Sequence, residues 1–401
     1  MRERKIMTLI LCLSMAFLIS CAKNEEPAAI EIPSSTENDI TGEKLSKLDN
    51  ETQDETIIVI DEPDESDEAK EDKEEDPVIQ YSETKASEVA AVSENEIPAV
   101  EEEKVLKTED GKVIVDLVMF MGQSNMSGVG GNVSYAPKVS EGVGYEFRAI
   151  SDPTRLYPIE EPFGKNENNI NGIYDLPGSK NGSMVSAFAN KYYEETKVPI
   201  VAVSASQGGT DTQFWMLPKT TEDFRERQKR AQVWLESNNY YIRKQYVIWL
   251  QGESDALGDL SSEAYKQNMD NIIRPLFIGG VQKVFIVTPG RIIEEKDYFK
   301  DIVSAQLDLC RNSGYYALAT TVLNAVSTEY MIDSWHYNQT VLNLVGEMAA
   351  ESAAYYTNNQ KEMCLYDYEN NTTYIPDGFD YPSDVVVEPV DVNNDCGLER
   401  Y

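Results

Sequence analysis

A chain of 401 residues with 70 acidic residues, 35 basic ones and a single histidine carries a formal charge of −35. That balance argues against nucleic-acid recognition, where Lys and Arg must neutralise phosphate, and against charge-driven docking on anionic lipid. The imbalance is concentrated, because residues 23–110 hold 30 acidic residues against 8 lysines, so length alone overstates the folded part.

In chain order, the first element is an export signal. Arg2, Arg4 and Lys5 precede an apolar run over residues 6–19, shorter than the roughly 20 residues a membrane-spanning helix needs. Leu18-Ile19-Ser20-Cys21 resembles a bacterial lipobox. That resemblance implies a signal over residues 1–21, lipidation of Cys21 and an extracytoplasmic protein anchored to a membrane by lipid. An ordinary cleaved signal with an incidental Cys21 is the alternative. No later stretch is apolar enough to cross a bilayer.

Residues 22–112 are predicted to form a disordered acidic stalk. Asp61-Glu62-Pro63-Asp64-Glu65 and Glu71-Asp72-Lys73-Glu74-Glu75-Asp76 bury too little apolar area to offset chain entropy, and like charges extend such a linker. The brief apolar run 57–60 has no evident partner.

From residue 113 short apolar runs alternate with helix-like stretches. Strands are expected at 113–120, 199–204, 246–250, 283–287 and 315–319. Helices are expected at 184–196, 222–236, 262–276, 301–312 and 338–356. Apolar strands without polar alternation, separated by helices, predict a parallel sheet covered on both faces. The fold class is therefore α/β: a three-layer α/β/α domain over 113–360 with a mainly parallel sheet of about five strands. An irregular acidic tail follows over 361–401, and the insert 151–182, rich in Asn, Gly and Pro, is expected to line the rim of any site. Beyond Cys12 in the signal, Cys310, Cys364 and Cys396 form neither a disulfide framework nor a zinc spacing. A Cys364–Cys396 bridge and three unpaired thiols both remain open.

In a parallel sheet, reactive groups gather at the C-terminal strand ends. Three expected strands end in small polar clusters: Gly122-Gln123-Ser124-Asn125-Met126, Ser206-Gln207-Gly208-Gly209-Thr210 and Gln251-Gly252-Glu253-Ser254-Asp255. Each alone is ordinary turn chemistry; their recurrence at equivalent places points to a site. The lone histidine, His336, follows Asp333 by three residues, a spacing that brings both side chains to one side. An Asp there can hold one imidazole nitrogen and leave the other to accept a proton. Neighbouring acids are common in so acidic a chain, but this pair falls between the last strand and the last helix, where a loop can reach the sheet ends.

Ser124 follows the first strand and precedes Gly128, Gly130 and Gly131. Ser254 competes, since Gly252-x-Ser254 half-resembles a nucleophile elbow. The elbow wants Gly two residues after the Ser, and Met126 and Ala256 stand there instead. Backbone N–H groups at Ser124 and Gly209, with the side-chain amide of Gln251, suit an oxyanion hole. Trp215 and Trp335 lie beside the second and last clusters, where aromatic faces suit sugar rings, although large aromatics more often belong to cores.

These blocks resemble the SGNH hydrolase superfamily, in particular its sialate O-acetylesterase and acetylxylan-esterase-like branch. That branch has a Gly-Gln-Ser-Asn-Met block, a Gly-Gly-Thr block, a Trp-x-Gln-Gly-Glu-x-Asp block and a closing Asp-x-x-His. Here they read Gly122–Met126, Gly208–Thr210, Trp249–Asp255 and Asp333–His336, in that order; the stalk and tail are not covered. The resemblance implies a serine esterase releasing acetyl groups from an acetylated glycan. In it Ser124 is the nucleophile, His336 the base and Asp333 its orienting acid. Ser124, Gly209 and Gln251 form the oxyanion hole, with Gln251 standing where the wider superfamily has Asn. Gln123, Asn125, Glu253 and Asp255 brace loops. The mechanism implied needs no cofactor, and no metal site is legible. An inactive carbohydrate-binding lipoprotein, or an esterase acting on lipid or peptidoglycan esters, are the competing readings.

Overall fold

The computed structural model describes residues 106–369 and the backbone of Thr372–Thr373. The signal with Cys21, the acidic stretch up to residue 105, Cys396 and the end of the tail lie outside the described residues.

Seven strands form the main sheet: β1 (Val113–Gly122), β2 (Gly144–Phe147), β3 (Leu156–Pro158), β4 (Ile200–Ser206), β5 (Tyr240–Leu250), β6 (Lys283–Val287) and β7 (Tyr316–Thr320). Their order is β3-β2-β4-β1-β5-β6-β7. Every neighbouring pair is parallel except β2 with β3. The helices are α1 (Ser124–Ser127), α2 (Val185–Thr196), α3 (Thr212–Met216), α4 (Pro218–Ser237), α5 (Glu253–Leu257), α6 (Ser262–Ile278), α7 (Lys300–Asn312), α8 (Val322–Ala325) and α9 (Gln339–Asn359). Among the described residues no helix is long and apolar enough to cross a membrane.

Successive strand residues point to opposite faces of a sheet, and the two faces here carry separate cores. Leu117, Met119, Met121, Val203 and Trp249 pack with Phe224 and Leu235 of α4, Met269 and Ile272 of α6 and Ile302 of α7. Val118, Phe120, Ala202, Ile248 and Phe285 pack with Phe188 of α2 and Leu342 and Val345 of α9. The fold is thus a three-layer α/β/α sandwich.

Two differences from the sequence reading have physical causes. Strands β2 and β3 are 4 and 3 residues long, at or below the shortest length at which periodicity is visible, and they extend one edge of the sheet. Strand β5 starts at Tyr240 rather than 246, because Tyr240–Ile242 pair with Val113–Val115 and, past a register shift that leaves Arg243 without a partner on β1, Lys244 and Gln245 pair with Asp116 and Leu117. At that shift the Arg243 Nε donates to the fully buried Asp116 at 3.0 Å.

The described start of the tail is packed. Leu365 joins the core cluster that holds Cys310 and Leu318, and Tyr366–Asp367 pairs antiparallel with Thr372–Thr373. For the site, the decisive feature is strand order. From β1 the chain runs out through β2 to the edge strand β3, returns to β4 beside β1, and then builds from β5 to β7 on the other side of β1, so a crevice opens at the strand ends where the direction reverses. Gly122 is level with Ser206 on one side and Leu250 on the other, which sets three loops side by side.

Candidate active site

Strand β1 ends on Gly122 with φ at 148°, and a Cβ there would stand 2.0 Å from the Leu250 carbonyl oxygen. Only glycine permits so close a turn. The chain then enters the single turn α1. Across residues 115–128 every side chain is buried except that of Ser124.

Asn125, directly after it, is 2 % exposed. Its amide donates to Glu253 Oε1 at 2.9 Å and to the Trp335 carbonyl at 3.2 Å, and its Oδ1 accepts the Tyr337 N–H at 3.4 Å. One side chain adjacent to Ser124 therefore grips the backbone on both sides of His336. Gly130 packs on the same loop, where a Cβ would stand 3.0 Å from the His336 Cβ.

His336 Nδ1 lies 2.8 Å from Asp333 Oδ2. Asp333 Oδ1 accepts the backbone N–H groups of Trp335 and His336, both at 2.8 Å. Burial on its own would raise the Asp333 carboxyl. The hydrogen bonds from the imidazole and from those two N–H groups outweigh it and hold the group below its ordinary value. The His336 Nε2 and the Ser124 hydroxyl have no hydrogen-bond partner among the described residues, so they are not hydrogen-bonded to each other.

The 208–210 turn closes the opposite side. Gly208 donates its N–H to Asp175 Oδ1 at 3.2 Å, and a Cβ on Gly208 would stand 3.6 Å from the Ser124 Cβ. Gly209 has φ at 69° and open space around it. The backbone N–H groups of Ser124 and Gly209 donate to no described residue.

Gln251 departs from the oxyanion role read from the sequence. It is fully buried, its Nε2 donates to the Thr210 carbonyl at 3.0 Å and to Asp255 Oδ2, and its Oε1 accepts the Tyr265 hydroxyl at 3.1 Å. Both amide hydrogens are engaged, so Gln251 holds the 208–210 turn rather than facing a reacting oxygen. Its chain position predicted the location; the direction of the side chain was not legible.

Gln123 Oε1 accepts the Ser254 N–H at 3.2 Å, which ties the first loop to the third. Asp255 accepts the Thr212 N–H at 3.0 Å. Burial raises its carboxyl, against the bonds from Thr212 and Gln251. Glu253 is raised by burial too, with the Asn125 hydrogen bond and the charge of His336 pulling the other way; its Oε2 is buried with no hydrogen-bond partner. Trp215 is a correction: it is fully buried, packs edge-on to Trp249 at 5.4 Å and donates its indole N–H to Thr210 Oγ1 at 3.1 Å, so no sugar can reach it. Trp335 is half-buried beside His336 and packs against Tyr298 and Phe299.

Sequence reasoning missed Asp175 and Lys180, which enter from the insert. Lys180 Nζ lies 2.6 Å from Ser206 Oγ and 3.7 Å from Asp175 Oδ2. Neither falls in a periodic pattern or a recognisable block, so no sequence signal marked them. Among the described residues no group of three or more His, Cys, Asp or Glu side chains is placed to hold a metal ion.

A half-buried hydroxyl, an imidazole held by a carboxylate and two undonated N–H groups suit nucleophilic attack on a carbonyl with stabilisation of the resulting oxyanion. A family model described as carbohydrate esterase, sialic acid-specific acetylesterase matches residues 114–355. No curated protein matches the chain. Among solved structures, a protein from Arabidopsis thaliana is 20% identical with a TM-score of 0.44, over 61% of this chain and 98% of that one. A carbohydrate acetylesterase from Xanthomonas citri is 17% identical with a TM-score of 0.39, over 63% and 58%. A member of the lipolytic G-D-S-L family from Veillonella parvula is 12% identical with a TM-score of 0.32, over 59% and 97%.

Proposed function

The chain belongs to the carbohydrate esterase family of sialic acid-specific acetylesterases, and from that premise we propose that it removes O-acetyl groups from carbohydrate through an acyl-enzyme. Ser124 attacks the ester carbonyl while the His336 Nε2 takes its proton, with Asp333 holding Nδ1 and stabilising the imidazolium that forms. The developing oxyanion is met by the backbone N–H groups of Ser124 and Gly209. His336 passes the proton to the sugar oxygen as its bond to the acyl carbon breaks, so the sugar departs as a free hydroxyl. Water, deprotonated by the same base, then releases acetate and restores Ser124.

The observation that carries this reading is the grip of Asn125. It binds the backbone flanking His336 at Trp335 and Tyr337 while sitting next to the one unburied residue of its stretch, Ser124. The test is hydrolysis of a generic acetyl ester by Ser124→Ala and His336→Ala. Each is expected to lose about three or more orders of magnitude in kcat; wild-type turnover in either ends the proposal. Acetate release over a panel of acetylated glycans identifies the sugar.

The working location follows from the Leu18-Ile19-Ser20-Cys21 motif: an extracytoplasmic membrane surface, reached by export and held by lipid on Cys21. Cys21→Ala should move the protein from the membrane fraction to the soluble one, and an unchanged distribution would remove the anchor from the proposal.

A further inference from the structure

We propose that Asp175 and Lys180 are positioning residues for this reaction, acting from the insert to hold the 208–210 turn so that the Gly209 N–H faces the ester oxygen. The inference rests on the serine-esterase reading above and adds to it two residues outside the four sequence blocks.

The turn is clamped on either side of Gly209. Asp175 Oδ1 takes the Gly208 N–H at 3.2 Å, and Gln251 takes the Thr210 carbonyl at 3.0 Å. Between these two anchors Gly209 keeps its own N–H undonated. Asp175 is 5 % exposed, and the charge facing its other oxygen is the Lys180 ammonium at 3.7 Å.

That ammonium is shared. It lies 2.6 Å from the hydroxyl of Ser206, the last residue of β4, and 3.5 Å from the hydroxyl of Ser127, the last residue of α1. One buried cation thus joins the turn that bears Ser124, the strand end that leads to Gly208, and the carboxylate that holds Gly208. Oxyanion donors are effective only when fixed beforehand, and a shift of about 1 Å in such a group can cost about a hundredfold in rate. The insert is itself anchored: Arg227 donates to the Glu167 carbonyl at 2.8 Å, and the Tyr174 N–H donates to Gln207 Oε1 at 2.6 Å.

Burial drives the Lys180 ammonium down to about 8; the charge of Asp175 opposes that shift, Arg227 adds to it and Glu161 opposes it. The cation is therefore present below about pH 8 and lost above it. The acyl-transfer step should weaken as the pH rises through that value.

The experiment measures kcat and KM on a short acetyl ester from about pH 6 to about pH 10, with Ser124→Ala as the background. The variants are Lys180→Met, Asp175→Asn, Asp175→Ala and the double neutral pair Asp175→Asn/Lys180→Met. Folded single variants should lose about tenfold to a hundredfold in kcat with KM changed by less than about twofold. Asp175→Ala should lose more than Asp175→Asn, since Asn keeps an oxygen for the Gly208 N–H. The fall in kcat near pH 8 should be present in the wild type and absent from Lys180→Met.

Unchanged kcat, or a change confined to KM, in folded variants overturns the proposal, and a wild-type kcat that stays flat above pH 8 overturns it even if no variant folds. Full activity in Ser124→Ala is a different failure, of the parent reading alone.

Discussion

Asp333 and His336 meet across three residues of one turn, with the Asp333 side chain 45% and the His336 side chain 17% exposed. The 208–210 turn across from them is held by side chains from residues 175, 215 and 251, all nine-tenths or more buried. The Asp333–His336 contact is local in the chain, although the loop that carries it is tied to Asn125 through Trp335 and Tyr337. The 208–210 turn is assembled from segments distant in the chain and is continuous with the core around Trp249. A substitution on the first side should therefore change chemistry and leave stability alone, whereas one on the second should change both.

Asp333→Asn gives the largest effect that tests the contrast. Asn can keep an oxygen for the two backbone N–H groups, yet it cannot hold the Nδ1 proton or stabilise an imidazolium. The expected loss in kcat is about 10³ to 10⁴, with stability within about 0.5 kcal/mol of wild type, as for exposed positions generally. Urea unfolding alongside steady-state kinetics reads both quantities. A large stability loss would show that the loop after α8 depends on this carboxylate, and the contrast would fail on its simpler side.

Gln251→Ala is the matching change on the buried side. It leaves the Thr210 carbonyl and one Asp255 oxygen short of a donor inside the protein, and it opens a cavity. Stability should fall by about 2–4 kcal/mol. The loss in kcat should be about tenfold, through a loosened turn, rather than the hundredfold to thousandfold that follows removal of a direct oxyanion donor. A thousandfold loss in kcat with unchanged stability would return Gln251 to the role the sequence assigned it.

The same division governs what could be read before the structure. The strands were visible because both faces of the sheet are covered, which leaves uninterrupted apolar runs such as Val284–Val287 with every residue buried. The Asp333–His336 pair was visible because its geometry is contained in a spacing of three. Gln251 was located correctly and aimed wrongly, because a block fixes where a side chain starts but not which partners compete for it, and Asp255 and Thr210 outcompete the crevice. Trp215 and Trp335 were indistinguishable in sequence, each an aromatic next to a polar cluster. Only the packing of Trp249 and Phe224 over Trp215 separates them. Asp175 and Lys180 lie in a stretch of turns where nothing repeats, so their meeting with Gly208 and Ser206 is a tertiary fact with no local signature.

The smallest expected effect concerns the second carboxylate near the imidazole, and it sharpens the contrast within one site. Asp333 is held below its ordinary value by the bonds it accepts, so its contribution to stability is present above the unfolded value and is lost as the pH falls through the lowered one. Glu253 runs the other way. Burial raises it, so the folded protein keeps that proton to a higher pH than the unfolded chain does, and stability declines as the pH climbs from about 4.3, the ordinary glutamate value, through the raised one. Glu253→Gln has no such proton to lose. Urea midpoints of wild type and variant should therefore diverge in the variant's favour across that window, while kcat stays within about tenfold because Asn125 still has an oxygen to bind. Parallel midpoint curves would mean that Glu253 titrates alike in both states, and a kcat loss as deep as that of Asp333→Asn would make it a second carboxylate on which the base depends, ending the distinction between an acid that acts and one that braces.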